Sequence, residues 1–331
     1  MRVDMRLNMQ SPPWATPLTR VYAAGLDMAR WADDQGLDAV RIGEHHGTDD
    51  NWCPSITALG AAVAAVTSRI TVNLSAVLLP LHDPIHVAED LAVLDIMCDG
   101  RLRVVVAAGY NLAEFEMFGV DRKARGRLTE EAIRVMRQAW IGDPFEYQGR
   151  PVRVTPKPAT PGGPPLILGG SSGAAAKRAV RLGMDYFPLN KEAYEVYQEE
   201  RLAAGLARAQ EYSRGGPHML HVTEDVDRAW ETLAPHLVAE ATNYTTWSST
   251  DTPTSGPLGV KPPTLDDLRA GGRYVVATPD DAVDILRGFT ADTIITLHPL
   301  VAGLDPDVGW ESLHLFADRV LPAIRDRELT S

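Results

Sequence analysis

The feature that most constrains the fold of this chain is a regular exchange between two periodicities. The N-terminal "MRVDMRLNM" sets Val3, Met5, Leu7 and Met9 against Arg2, Asp4, Arg6 and Asn8. That period of two predicts a strand. From Leu18 to Gln35 the period lengthens, with Leu18, Val21, Tyr22, Gly25, Met28, Ala29 and Ala32 at helical spacing and Gly36 as a stop. "LDAVRIG" then reads as a buried strand ending at Glu44, and "PSITALGAAVAAVT" as a small-residue helix. "RITVNLSAVLLP" is the next strand, and Asp83-Pro84 caps a helix running to about Met97. The exchange continues through "LRVVVAAG", "LTEEAIRVMRQAW", "PLILGG", "SGAAAKRAVRLG" and "MDYFPL". A polar helix from about Lys191 to Tyr212 follows, then "HMLHV", "DVDRAWETLAPHLV", "DTIITLHPL" and "WESLHLFADRVLPAI".

Strands alternating with helices argue for a parallel sheet. About eight strands in 331 residues predict an α/β fold, a single (β/α)8 TIM-type barrel spanning 1–331. An open doubly wound sheet is the alternative. Two stretches break the rhythm. A Pro/Gly-rich excursion at about 145–165 predicts an insertion with a short hairpin. The polar, Pro/Gly/Ser/Thr-rich segment Asn243–Tyr274 predicts a mobile lid, because long structureless loops in compact domains are commonly functional.

Composition narrows the function classes. The net charge of −12 argues against a phosphate-backbone binder, so no nucleic acid is expected. No Lys/Arg-rich block and no apolar run of membrane-spanning length occurs, so no membrane partner is expected. Cys53 and Cys98 are too few for a disulfide framework and form no CxxC. With no apolar signal-peptide core at the N-terminus, a reduced cytoplasmic protein is the expectation.

"RIGEHH" places Glu44, His45 and His46 at the C-terminal end of the second strand, the active-site face of a barrel. Adjacent His45 and His46 point to opposite sides of an extended strand and do not easily share one ion, so no metal is expected. Acid/base work by one histidine and a plain solvated strand end both remain open. "LGGSSGAAAKRAV" is a strand, a Gly-rich turn and a helix start, which suits either an anion site or an ordinary capped βα turn. Ser75 and Ala76 are small residues at a strand end, fit for close packing or for backbone lying against a flat ligand. Gly109 and Tyr110 end the fourth strand, with Tyr110 a site wall or a core aromatic. "RKARGR" reads as a solvated face. No GxSxG or HExxH is present.

"GLDAVRIGEHH", the block from Ser68 to Val120, "GGPPLILGGSS" and "FADRVLPAI" together resemble the bacterial-luciferase-like flavin monooxygenases, in family order and over nearly the whole chain. The resemblance implies a (β/α)8 barrel with flavin at its C-terminal mouth. It implies that His45, with Glu44 beside it, does the catalytic work, and that Ser75-Ala76 is a non-prolyl cis peptide under the flavin ring. It places the cofactor also against Ala108, Gly109 and Tyr110, and its phosphate on Gly170, Ser171, Ser172 and Gly173. The luciferases' reactive cysteine falls on Ala107 and their phosphate-contacting arginine on Ala108, so phosphate charge would have to be met by N–H groups, hydroxyls or a base such as Arg125 or Arg127.

The implied activity is that of a two-component monooxygenase. Reduced FMN from a separate flavin reductase and O2 would form a flavin C4a-peroxide that oxidises a small organic substrate. An F420-dependent oxidoreductase of the same superfamily and a non-catalytic flavin-binding relative are the alternatives. A homodimer is the implied assembly.

Overall fold

The computed structural model describes residues 1–209, 216–248 and 262–328. Its strands are β1 (Arg2–Arg6), β2 (Ala39–Ile42), β3 (Thr71–Leu78), β4 (Leu102–Ala107), β5 (Phe145–Tyr147), β6 (Arg150–Val152), β7 (Leu166–Gly170), β8 (Asp185–Pro188), β9 (Met219–Val222), β10 (Tyr274–Ala277) and β11 (Ile294–Leu297). The helices are α1 (Leu18–Asp34), α2 (Ile56–Val66), α3 (Pro84–Cys98), α4 (Leu112–Phe118), α5 (Arg125–Ile141), α6 (Gly173–Arg181), α7 (Lys191–Ala203), α8 (Val226–Ser248), α9 (Leu265–Ala270), α10 (Pro279–Arg287), α11 (Pro306–Leu315) and α12 (Leu321–Glu328).

The chain divides into two compact units. One comprises Met1–Arg41, Thr48–Cys53 and Ser213–Ser331, and the other Ile42–Gly47 and Pro54–Tyr212. In the first, parallel strands lie in the order β10-β9-β11-β1-β2. In the second the parallel order is β3-β4-β7-β8, and β5 and β6 form a short antiparallel hairpin within the stretch at about 145–165 where one was expected.

Local chemistry explains why the elements start and stop where they do. Helix α1 buries Val21, Gly25, Met28, Ala29 and Ala32, the stripe seen in the sequence. Gly25 sits close to Met9: a Cβ there would meet the Met9 methyl at 2.7 Å, and that flexible side chain would have to shift. Asp83 caps α3 by accepting from the Ile85 N–H at 2.8 Å, with Pro84 in the first turn. Ser172 caps α6 through the Ala175 N–H at 3.2 Å.

Three expectations need correction. The polar helix α7 ends at Ala203 rather than Tyr212, because Gly205 takes a left-handed φ of 72° that closes the last turn. Tyr212 itself lies outside the described residues. Of the segment 243–274, residues 243–248 continue α8, and 249–261 lie outside the described residues. The remainder contains α9 and the first residue of β10. Thr245 and Thr246 are tolerated in the helix because their hydroxyls donate to the carbonyls of Ala241 and Thr242, each at 2.9 Å. Among the described residues, β10 brings the parallel strands to nine, one more than the eight counted from sequence. The single-domain boundaries and the lid remain expectations.

Candidate active site

The site residues of the second unit come from strand ends. Beyond β2, Glu44, His45 and His46 are each less than a tenth exposed. Alternation sends their side chains to different partners, as the extended backbone dictates. The His45 Nδ1–H donates to Glu114 Oε1 at 2.8 Å, and the same oxygen accepts the His46 backbone N–H at 3.0 Å. The second oxygen, Glu114 Oε2, is buried without a hydrogen-bond partner. The edge of the His45 ring meets Tyr110, with centroids 5.9 Å apart.

Glu44 faces elsewhere. Its Oε1 accepts from His46 Nε2 and from His82 Nε2, both at 2.7 Å, and its Oε2 accepts the Leu78 N–H at 3.3 Å. Burial pushes the Glu44 carboxyl up, but the hydrogen bonds and charges of His46 and His82 outweigh it and leave the group below its ordinary value. For His82, burial pulls the imidazole down, while the hydrogen bond and charge of Glu44 carry it above its ordinary value. The sequence reading placed Glu44 and His45 together. The structure instead joins His45 to Glu114, and Glu44 to His46 and His82.

The expected cofactor residues occupy neighbouring strand ends. Register pairs Ser75 with Val105, and Val105 with Ile167, so the C-terminal ends of β3, β4 and β7 lie side by side. Ser75, Ala76, Ala108, Gly109, Tyr110, Gly170, Ser171 and Gly173 are partly exposed and Ser172 is exposed, above strands whose interiors are buried. The Ser75-Ala76 peptide is cis. Small side chains here leave backbone open to a flat ring, and the α6 N-terminus offers N–H groups to an anion. This donor set fits a flavin mononucleotide. Neither Arg125 nor Arg127 is aimed at that turn by its observed bonds. Arg125 donates to the Arg122 carbonyl at 3.2 Å, and Arg127 pairs with Glu131 at 2.9 Å. Arg178 and Arg181 both pair with Glu130.

Sequence reasoning missed Glu114 and His82. Both lie inside runs quoted for other reasons, Glu114 69 residues from His45 and His82 38 residues from Glu44, the groups they join. No local spacing signals contacts at that separation. It missed also a buried polar network in the first unit. There Glu240 lies 3.6 Å from Arg6, from His218 and from His298, and accepts from Tyr274 at 3.2 Å. Both ring nitrogens of His298 are buried without a hydrogen-bond partner. Among the described residues, no helix is long and apolar enough to cross a membrane.

The chain is 25% identical to an FMNH2-dependent dimethylsulfone monooxygenase of Pseudomonas fluorescens, over 96% of this chain and 90% of that protein. It is 27% identical to the oxygenase component of a flavin-dependent trigonelline monooxygenase of Acinetobacter baylyi, over 45% of this chain and 42% of the relative. Against several of the curated relatives it matches, the chain spans about half of their length or less. Among solved structures, monooxygenase RslO1 of Streptomyces bottropensis superposes with a TM-score of 0.79 at 23% identity, covering 97% of this chain and 99% of that one. The oxygenating constituent of 3,6-diketocamphane monooxygenase of Pseudomonas putida, a Type II Baeyer-Villiger enzyme in complex with FMN, gives 0.74 at 19%, covering 97% and 98%. An F420-dependent secondary alcohol dehydrogenase gives 0.65 at 18%, covering 98% of each. These likenesses show the fold, the α/β barrel class expected from the sequence. A family described as luciferase-like monooxygenase matches residues 1–293, and the chain belongs to it.

Proposed function

We propose that this protein is the oxygenase component of a two-component, FMN-dependent monooxygenase acting on a small organic substrate. The observation that carries the reading is the His45–Glu114 pair beside the small-residue strand ends. When bound, reduced flavin would supply oxygen activation, and a separate reductase would supply the reduced flavin. Ser75, Ala76, Ala108, Gly109 and Tyr110 would lie against the ring, and Gly170 to Gly173 would hold the phosphate through N–H groups and hydroxyls.

His45 is the proton-handling group. With its Nδ1–H donated to Glu114, the ring is fixed in the tautomer whose Nε2 takes or returns a proton. Glu114 is the positioning residue, and Glu44 acts through His46 and His82 on the shape of the strand end. A cytoplasmic homodimer is the assembly this reading carries. The test is His45→Ala, measured for FMN binding and for coupled product formation. Product formation falls by about 10²–10⁴-fold while flavin affinity is kept. Unchanged turnover would overturn the assignment.

The F420 reading has the likeness to the F420-dependent dehydrogenase in its favour. It needs a basic channel for a long acidic tail, which a net charge of −12 does not favour. Titration of FMN against F420, both reduced and oxidised, separates the two.

A further inference from the structure

We infer that Glu44, His46 and His82 form a binding site for one divalent first-row transition ion. The inference goes beyond the proposed oxygenase activity and requires no flavin.

The donor atoms already converge. Glu44 Oε1 lies 2.7 Å from His46 Nε2 and 2.7 Å from His82 Nε2, and all three ligand atoms lie within 4.8 Å of one another. Independent contacts hold the ligands in place. The Leu78 N–H on Oε2 turns Oε1 toward the imidazoles, and the His46 ring meets the Phe118 ring edge-on at 4.8 Å.

Metal–ligand bonds of about 2.0–2.2 Å place cis donors roughly 3.0–3.5 Å apart. The two N···O separations therefore need to open by roughly half an ångström. His82 is the ligand free to give, since its side chain is 30% exposed while that of Glu44 is 1%. His82 also lines a cleft of about 40 Å³ with Leu79, Pro84, Glu131 and Tyr147. That is room for a water molecule beside His82.

The chemistry of the donors selects the ion. One carboxylate oxygen and two imidazole nitrogens suit Zn2+, Fe2+ and Co2+, whereas Ca2+ and Mg2+ prefer all-oxygen shells. With neutral imidazoles the buried triad carries one negative charge, which a divalent ion more than balances. His45 is not among the converging ligands; its Nδ1 hydrogen-bonds Glu114. The third ligand comes from beyond β3 instead.

Chelator-treated full-length protein is titrated with Co2+ and then Zn2+, read by visible absorption and calorimetry. One Co2+ per chain with ligand-field bands, displaced by one Zn2+, is expected. In 15N-resolved histidine spectra of the unmutated protein, Zn2+ moves the Nε2 signals of His46 and His82 and leaves those of His45 in place. Glu44→Gln and His82→Gln each weaken Zn2+ binding more than about 100-fold, beyond the loss typical of outer-shell changes. His86→Gln, on a side chain 82% exposed, leaves binding unchanged. Absence of a saturable one-to-one site overturns the inference, as does Zn2+ that leaves the His46 and His82 signals unmoved. Because no readout uses turnover, failure here leaves the oxygenase reading intact.

Discussion

Two buried carboxylates, each within reach of two histidines, both favour the protonated imidazole, yet burial wins in one unit and the carboxylate in the other. In the first unit, burial dominates. His218 and His221 are pushed down to about 4 and His298 to about 3, with desolvation the leading cause in each. Glu240, wholly buried, is pushed up by burial but held well below its ordinary value by Arg6, His298 and His218. In the second unit, Glu44 keeps His82 above its ordinary value, because His82 remains partly open to water and hydrogen-bonds the carboxylate directly. The same residue types thus make a fixed structural network in one unit and an adjustable one in the other. Distance and solvent decide which: 3.6 Å contacts in a closed interior against 2.7 Å hydrogen bonds at a rim.

Acid is the strongest way to test that contrast. A histidine that stays neutral in the fold down to about 4 binds fewer protons than the same residue unfolded, whose pKa is about 6.5. The unfolded state therefore gains stability as pH falls from about 6.5 toward 4, and folding weakens by up to about 1.4 kcal/mol per pH unit for each such histidine. Three of them make a loss comparable with the whole stability of a domain, about 5–15 kcal/mol. Hydrogen exchange at pH 7.5 and 5, corrected for intrinsic rates, should show amides of β1, β9 and β11 losing protection. Equal protection at both pH values would mean that these histidines are not buried neutral.

Next in size is Glu240→Gln, which keeps the shape and removes the charge facing Arg6. Taking one partner from a buried ion pair costs about 3–5 kcal/mol, because the other charge stays desolvated. Urea unfolding should show that loss. A change below about 1 kcal/mol would mean that the Tyr244 hydroxyl and His218, both bonded to Arg6, suffice to hold it.

These two networks also mark where the sequence stopped being readable. Strands and helices with an intact period, such as β1, α1 and α3, stood out because one face alone is buried. Strand β10 was hidden in a polar context, and Asn243–Ser248 carries loop-like residues that are helical through contacts such as Asn243 to Asp50, at 2.7 Å. Tertiary bonds, absent from any local pattern, decide such segments. At the candidate site, His45 stood out in the sequence by its strand-end position, and the residues at 75–76 and 108–109 by their small size. Glu114, His82 and the Arg6–Glu240 network were not, because each is assembled by topology from residues tens to hundreds of positions apart.

Glu44→Gln is the smallest expected effect and the sharpest comparison with Glu240→Gln. The substitution again keeps the shape, removes one charge, and leaves the Leu78 N–H an acceptor or a close substitute. The two histidines it releases are uncharged when unprotonated, and His82 can turn to water. No buried cation is stranded, so the loss reduces to charge-assisted hydrogen bonds, about 1.5–3 kcal/mol for one in a closed interior and less beside a solvated rim. A loss of roughly 1–2 kcal/mol in urea unfolding at neutral pH is the expected result. A loss matching that of Glu240→Gln would make Glu44 a structural anchor like its counterpart, and the contrast between a fixed and an adjustable network would fall.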